Sequence, residues 1–213
     1  MVSHNDADHS GGAASVLAQL PVNWLASSFD TTELSAEKRS IKCVAGQRWV
    51  WDKVTFEVLY PELESYQDAD LTDNNKSCVV KVTSQFGSLL LTGDIEKQAE
   101  NSLLNDALQA NNGAVPIIQL KSDVLIAPHH GSKTSSTVAF LQAVGAKHAI
   151  FTVGYLNRFK HPKPMIEKRY EESGALTYRS DYQGALTINF TQAKDLTIDA
   201  LRQSQPRYWH DKY

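Results

Sequence analysis

The chain has 213 residues and a formal net charge of −3 at pH 7, with 42% hydrophobic and 21% charged residues. This composition is typical of a globular protein with a buried core, and the absence of a long apolar run excludes a membrane-spanning segment within the chain. The weak negative charge excludes attraction of nucleic acid by the field of the whole protein, so such a ligand would need a local basic patch or a bound metal. We predict a single domain over residues 1–213.

Residues 3–12 read Ser-His-Asn-Asp-Ala-Asp-His-Ser-Gly-Gly. Deprotonated histidine and aspartate side chains bind divalent metal ions. The small residues between and after them let the backbone turn sharply and direct several side chains to one point. A solvated surface loop of the same composition is the alternative. The pattern predicts a metal-binding loop with His4, Asp6, Asp8 and His9 as ligands.

After the predicted metal-binding loop, the chain is first rich in strand patterns. Further along the chain, strands alternate with helices. Helical periodicity predicts helices over residues 13–20, 95–109, 136–144 and 164–173. Apolar runs and alternations predict strands over residues 22–25, 41–44, 54–59, 77–83, 88–92, 124–127, 149–153, 177–179 and 185–190. This order indicates an α/β (α+β) sandwich with its site at strand ends. The polar and aromatic segment 191–213 is predicted to be a surface tail.

Cys43 and Cys78 are the two cysteines of the chain, and their separation fits no zinc or redox motif. They are therefore either buried thiols or one disulfide. Two cysteines do not fix the cellular compartment.

Two further motifs follow predicted strands. Asp94 ends the run Leu-Leu-Leu-Thr-Gly-Asp, where it is either a metal ligand or the N-cap of the next helix. His129 and His130 follow the strand 124–127, where a surface turn is the alternative to a metal site. The Gly-Ser pair that comes next offers backbone N–H groups and the Ser132 hydroxyl to an anion such as phosphate.

A third motif, residues 157–164, places basic residues around an aromatic residue and His161. Such a segment can grip a phosphodiester backbone, and a solvated basic loop explains it equally well. The phosphate-binding candidates in this motif are Arg158, Lys160 and Lys163, and Lys133 joins Ser132 beside the histidine pair.

The runs HNDADHSGG, LLLTGDIEKQAE, DVLIAPHHGSKTSS and GYLNRFKHPKP together resemble the metallo-β-lactamase superfamily. Within it they are similar to the C-terminal hydrolase domain of the ComEC family, the DNA-internalisation channels of natural transformation. The resemblance covers residues 4–190. It implies a metallo-β-lactamase-like αββα sandwich with up to two divalent metals between the sheets. Because family members have several strands before the first ligand loop, we expect this chain to lack those first N-terminal strands.

The resemblance also implies roles for individual residues. His4 and Asp6 would hold one metal, Asp8 and His9 the second, with Asp94 bridging both. His130 matches the late histidine of the superfamily. The candidate catalytic residues are Asp8, Asp94, His129 and His161.

Two departures from the superfamily pattern concern the metal. Asp6 stands where the usual loop has histidine, and residues 74–77 stand where another histidine is expected. Oxygen donors in place of nitrogen favour manganese or magnesium over zinc, or a weak first site, and argue against β-lactam hydrolysis. Zinc remains an alternative. Asn75 and Ser77, in the second departure, are further candidates for contact with phosphate.

The leading hypothesis is therefore a metal-dependent phosphodiesterase or nuclease domain that degrades DNA during natural transformation. The implied partners are single-stranded or double-stranded DNA and the remainder of a parent transmembrane channel protein. The implied location is the outer or periplasmic face of the cytoplasmic (inner) membrane. The alternatives are a non-catalytic module that guides DNA or stabilises the channel, and a hydrolase of a small phosphoester or thioester.

Overall fold

The computed structural model describes residues 1–31, 39–109, 120–191 and 196–208, without the side chains of residues 39 and 106–109. The helices are α1 Ala7–Ser10, α2 Ala13–Gln19, α3 Lys97–Gln109, α4 Val138–Val144, α5 Pro164–Glu172, α6 Ser180–Gln183 and α7 Leu201–Ser204. The strands are β1 Trp24–Ser27, β2 Arg39–Lys42, β3 Arg48–Trp51, β4 Val54–Tyr60, β5 Val79–Ser84, β6 Gly87–Leu91, β7 Val124–Ile126, β8 His148–Phe151, β9 Leu176–Arg179, β10 Leu186–Phe190 and β11 Leu196–Ala200. None of the helices in these residues is long and apolar enough to cross a membrane.

The main sheet has seven strands in the order β3-β4-β5-β6-β7-β8-β9. Strands β3 to β6 form an antiparallel meander, whereas β6, β7, β8 and β9 run parallel. The carboxyl ends of β6, β7 and β8 therefore meet at one edge of the sheet, which is where parallel sheets present their sites.

Apolar side chains on opposite faces of the main sheet pack against different layers. On one face, helices α3, α4 and α5 contribute Leu103, Phe140 and Ile166, all fully buried, to the larger core. On the other face, Val58 and Val80 pack in a smaller core with residues of a parallel two-stranded sheet formed by β1 and β2. Two sheets packed face to face, with helices against the outer face of the main sheet, confirm the predicted α/β sandwich.

The sequence pattern predicts strand β4 of the β3–β4 hairpin but not strand β3. Its turn residues, Asp52 and Lys53, have φ angles of 50° and 65°. Both residues at the centre of a type I′ turn need positive φ, and Asn-Gly or Asp-Gly is the usual sequence signal for it. Asp-Lys lacks the glycine, which is why the turn gave no clear signal.

Within the predicted surface tail over residues 191–213, residues 196–204 form regular structure, and all of them except Ala200 are exposed or half-buried. Strand β11 pairs antiparallel with β10 along its whole length, and Ala200 at its end is buried. Helix α7 follows, and its Arg202 donates a hydrogen bond to the carbonyl of Asp181. The alternating pattern of β11 is short and needed its partner strand to be identified. Residues 192–195 and 209–213 of the predicted tail lie outside the described residues.

Cys43 and Cys78 form a disulfide with a Cα–Cα distance of 5.9 Å. The bond joins the end of the small sheet to the beginning of β5. The backbone N–H of Cys78 also donates a hydrogen bond to the carbonyl of Ser3 at 3.0 Å. The disulfide therefore lies beside the first residues of the predicted metal-binding loop.

Removal of this disulfide should destabilise the fold. A Cys43→Ala/Cys78→Ala variant should lose about 2–4 kcal/mol of unfolding free energy, because the bond restricts the unfolded chain across a separation of 35 residues. Urea unfolding followed by circular dichroism measures the loss. Reductant should lower the stability of the wild type to that of the variant and leave the variant unchanged, and an unchanged midpoint for the reduced wild type would contradict the prediction.

Candidate metal centre

The loop that carries the first predicted ligands is anchored at its beginning to both sheets. Val2 pairs with Ser27 beside β1, and the Ser3 carbonyl accepts the Cys78 N–H. The short helix α1 then turns the chain back. A Cβ on Gly11, which ends this helix, would lie 2.5 Å from the Ala7 carbonyl oxygen, so no larger residue fits there. As a result His4 lies on the buried floor, whereas Asp6 and Asp8 face solvent.

Asp94 is held at the carboxyl end of β6 by a close backbone approach. Gly93 has a φ of +55°, and a Cβ there would lie 2.9 Å from Ser77 Cβ and 3.0 Å from Ser3 Cβ. The N–H of Asp94 donates to Ser77 Oγ at 3.1 Å. This geometry buries the carboxylate and directs it towards the histidines of the first loop.

The alternative role of Asp94, as N-cap of the next helix, is taken by Asn75. Its Oδ1 accepts hydrogen bonds from the N–H groups of Glu96 and Ala99 at 3.1 and 3.2 Å. Its amide group donates to Thr72 Oγ1 and a Glu96 carboxylate oxygen. The Asp94 carboxylate is therefore left available for the histidines.

The histidine pair follows β7 in an unusual backbone conformation. His129 and His130 have φ angles of 48° and 54°, and Gly131 follows at 83°. Left-handed backbone at non-glycine residues is uncommon and costly, and it occurs in tight turns and clusters at functional sites. A Cβ on Gly131 would lie 2.5 Å from Pro162 Cβ, so this glycine is required both for its φ and for space.

Three histidine side chains of the predicted metal site converge on Asp94. His9 Nε2 lies 3.2 Å from Asp94 Oδ1 and 3.2 Å from His130 Nε2. His4 Nε2 and His130 Nε2 lie 3.9 and 3.5 Å from Asp94 Oδ2. Asp8 Oδ2 completes the cluster at 3.2 Å from His130 Nε2. Donor atoms lie within 4.8 Å of one another in two groups, His4 with His9 and Asp94, and Asp8 with His9 and His130.

The outer nitrogens of the three histidines are already bonded. Ser3 Oγ lies 3.1 Å from His4 Nδ1 and 3.2 Å from His9 Nδ1. His130 Nδ1 lies 2.6 Å from the Thr152 carbonyl, which accepts only from the Nδ1–H tautomer. That tautomer leaves the His130 Nε2 lone pair facing the cluster, which is the arrangement of metal-binding histidines.

His4 provides the most direct test of whether a metal fits. Its side chain is fully buried, and its Nε2 has no hydrogen-bond partner among the described residues, with carboxylate oxygens of Asp6 and Asp94 at 3.6 and 3.9 Å. A buried polar atom without a hydrogen bond is costly. A divalent cation between these nitrogen and oxygen donors would remove that cost, so the residues fit a metal.

Charges within the cluster shift the pKa values of its members. Burial would raise the pKa of Asp94, but the hydrogen bond from His9 and the charges of the neighbouring histidines outweigh it and lower the pKa. Burial would lower the pKa of His9, but the bond to Asp94 raises it overall. Burial lowers the pKa of His4, which favours the neutral, metal-binding form.

His129 and His161 lie at the border of the cluster. His129 Nδ1 lies 3.3 Å from Glu96 Oε1, and its Nε2 is 3.9 Å from Asp94 Oδ2. The His161 ring lies 6.0 Å from that of His129, and its Nδ1 is buried with no hydrogen bond within the described chain. Burial lowers the pKa of His161 to about 4, and the positive charge of Lys163 is the next largest cause. His161 is thus a neutral imidazole at physiological pH.

The structure does not bring every predicted residue to the cluster. Asn75 and Ser77, predicted to contact phosphate, are buried, and their side chains support α3 and Asp94 instead. The Ser132 hydroxyl is also buried and lies 3.1 Å from Thr134 Oγ1. Asp6 contacts only the His4 side of the cluster and lies outside both groups of donors.

The predicted basic residues differ in their exposure to solvent. Lys133, Arg158 and Lys160 are exposed. Lys163 is half-buried, and its Nζ donates to the Phe159 carbonyl at 2.6 Å.

Sequence reasoning missed Ser3, Glu96 and Thr152 as supporting residues. Ser3 directly precedes His4, so its position gave a weak signal. Thr152 gave no signal, because it acts mainly through a backbone carbonyl at the end of β8.

Comparison with protein families identifies the fold and its family. Residues 1–154 match the family model of the metallo-beta-lactamase superfamily. Among solved structures, "Putative metal-dependent hydrolase" from Parabacteroides distasonis ATCC 8503 superposes with a TM-score of 0.51 at 10% identity, covering 84% of this chain and 74% of that one. At this identity the likeness concerns the fold alone, and it confirms the predicted fold class.

Curated relatives confirm the resemblance to the ComEC family. "Uncharacterized protein YcaI" of Escherichia coli K12 is 35% identical over 99% of this chain and 25% of its own length. "Competence protein ComA" of Neisseria gonorrhoeae is 36% identical over 87% and 24% of the two lengths. "Recombination protein 2" of Haemophilus influenzae is 31% identical over 98% of this chain and 24% of its own length. The chain thus spans about a quarter of the length of these relatives.

Metal binding should depend on His4 and stabilise the fold. Saturating Mn²⁺ or Zn²⁺ should raise the melting temperature of the wild type, because a ligand bound only by the native state adds about 2.7 kcal/mol at one hundred times its Kd. His4→Ala should bind metal at least about tenfold more weakly in calorimetric titration.

His148→Gln is the matched control. His148 begins β8, at the opposite end of that strand from Thr152, and contacts Tyr178. This variant should keep the full shift in melting temperature. Equal metal affinity of His4→Ala and the wild type would exclude His4 as a ligand.

Proposed function

Because the chain belongs to the metallo-β-lactamase superfamily, we propose that it is a two-metal phosphodiesterase that cleaves DNA as the hydrolase domain of a DNA-uptake channel protein. The observation that carries this proposal is the convergence of His4, His9 and His130 on the buried carboxylate of Asp94, with Asp8 next to His130. The names of two relatives, a competence protein and a recombination protein, support DNA as the substrate.

The ligand assignment follows the two groups of donors. His4 and Asp94 would hold one ion, and Asp8 and His130 would hold the other, with Asp94 close to both positions. His9 lies in both groups of donors, and its Nε2 would bind one of the two ions. Asp6 is available to the first ion through its exposed carboxylate. The supply of several carboxylate oxygens favours Mn²⁺ or Mg²⁺, with Zn²⁺ as the alternative. When bound, such ions polarise a phosphate oxygen and lower the pKa of a water molecule.

The side chains around the centre have distinct tasks in this proposal. Asp8 is exposed and 3.2 Å from His130 Nε2, so it can accept a hydrogen bond from the attacking water. His129 is held by Glu96 through Nδ1, which leaves its Nε2 lone pair free to accept a hydrogen bond from a water molecule at the centre. His161, neutral and at the edge of the cleft, can donate to the leaving oxygen. Lys133, Arg158 and Lys160 are free to contact flanking phosphates from the surface.

The disulfide supports a location outside the cytoplasm. Disulfides persist in oxidising compartments such as the periplasm and are rare in reducing ones. The Cys43–Cys78 bond lies beside the loop that carries His4. We therefore propose that this domain lies on the outer face of the cytoplasmic membrane, attached to the remainder of a transmembrane channel protein.

DNA cleavage with defined metals tests the proposal. End-labelled DNA should be cut by the wild type with Mn²⁺, more slowly with Mg²⁺, and not with EDTA. Asp94→Asn should lower the rate by about 100-fold or more, because it weakens the shared ligand and removes its charge. His148→Gln should cleave like the wild type.

The same assay separates the alternatives. Hydrolysis of a small chromogenic phosphodiester without DNA cleavage would replace the proposal with a small-phosphoester hydrolase. Metal binding and DNA binding with hydrolysis of neither substrate would indicate a DNA-guiding module. Either result would overturn DNA cleavage as the function.

A further inference from the structure

A cleft of about 380 Å³ opens from the metal centre towards the loop that follows β8. Two predicted ligands, Asp8 and His130, form one end of it. Asn157, Arg158, Phe159 and His161 line the other end. Pockets of a few hundred Å³ are typical of small-molecule sites, so the cleft can receive a group attached to whatever is bound at the metal centre.

Phe159 is an aromatic side chain that the loop holds in solvent. It is 58% exposed. The Arg158 guanidinium lies over its ring, with Cζ 4.7 Å from the centroid. The His161 ring is nearly parallel to it, with an interplanar angle of 13° and centroids 5.9 Å apart. The three side chains form a platform, defined here as Arg158, Phe159 and His161, whose planar groups line the cleft.

Hydrogen bonds fix the backbone beneath this platform. The Asn157 side chain accepts from the His161 N–H at 2.8 Å and donates to the His161 carbonyl at 2.9 Å. Lys163 Nζ donates to the Phe159 carbonyl. An exposed aromatic ring on so constrained a loop contributes little to the core, so the bonds serve to present the ring rather than to bury it.

From this arrangement we infer that the platform is a subsite for one unpaired nucleobase next to the phosphate bound at the metal centre. Every base has a π-face, and stacking on aromatic and guanidinium planes is how proteins bind single strands without reading sequence. The positive charges of Arg158 and Lys160 complement the adjoining phosphates. This inference rests on the proposed function and names the form of DNA that its site takes.

A base in a duplex does not meet the requirements of this subsite. Both of its faces are stacked on neighbouring bases, and it must be unstacked and unpaired before it can lie on a protein ring, which costs a few kcal/mol. The inferred subsite therefore favours single strands and frayed ends over intact duplex, with little dependence on the identity of the base.

Binding with and without bases tests the subsite. Fluorescence anisotropy with the metal-loaded whole chain would compare a short oligothymidylate with an abasic oligomer of the same length and number of phosphates, both with hydrolysis-resistant phosphorothioate linkages. The wild type should bind the oligothymidylate roughly 5- to 100-fold more tightly. Phe159→Ala should bind oligothymidylate only as tightly as the abasic oligomer, whereas Phe159→Trp should keep the preference.

Two controls separate stacking from charge and from surface changes in general. Lys160→Ala should weaken binding of both oligomers by the same factor, because phosphates are common to both. Trp51→Ala, an exposed aromatic on edge strand β3, should change neither affinity. Melting temperature and metal titration would verify that Phe159→Ala keeps its fold and its metal centre.

Each remaining outcome decides against the inference in a recognisable way. If Phe159→Ala lost the same factor of affinity for both oligomers, or lost no affinity for either, the subsite would be overturned. Metal-dependent DNA cleavage by the wild type would in that case still support the proposed function. Wild type that neither binds nor cleaves DNA would overturn both.

Discussion

A buried carboxylate is the constraint on which the rest of this structure depends. Asp94 lies at the carboxyl end of β6 with a side chain only 5% exposed. Removing a carboxylate from water costs several kcal/mol unless opposite charge and hydrogen bonds compensate for it. Histidine Nε2 atoms between 3.2 and 3.9 Å away supply that compensation in part, and a divalent cation would complete it. The first ligand loop, the histidine pair and the Asp94 backbone are all arranged around this requirement.

The loops that surround Asp94 adopt backbone conformations that are energetically costly. Gly93 and Gly131 permit approaches that a Cβ would block, and His129 and His130 adopt left-handed φ angles. Such conformations persist only where the surrounding structure determines them. Here the parallel strands β6, β7 and β8 do so, since their carboxyl ends meet at one edge and leave little choice of path for the loops that follow.

The centre is asymmetric, and this bears on its chemistry. His4 and Asp94 form a buried floor, whereas Asp8 is 67% exposed and shares its side of the centre with His130 and the cleft. A phosphodiester would therefore approach from the Asp8 side, with the basic loop and the Phe159 ring on its path. In the proposed function, the buried residues would hold the ion and the exposed Asp8 would lie where the substrate enters.

Much of this protein was determined locally by its sequence. The ligand types in residues 4–9, the apolar strands before Asp94 and His129, and the helices α3 and α5 follow from side-chain chemistry and periodicity over a few residues. Only the tertiary structure decided that Asn75 caps α3, that Ser77 supports Asp94, that the cysteines pair, and that residues 196–200 form a strand. Each of these depends on which distant segments the sheet order brings together, and a hydrogen bond, a disulfide or a strand pair leaves no periodic trace in either partner alone.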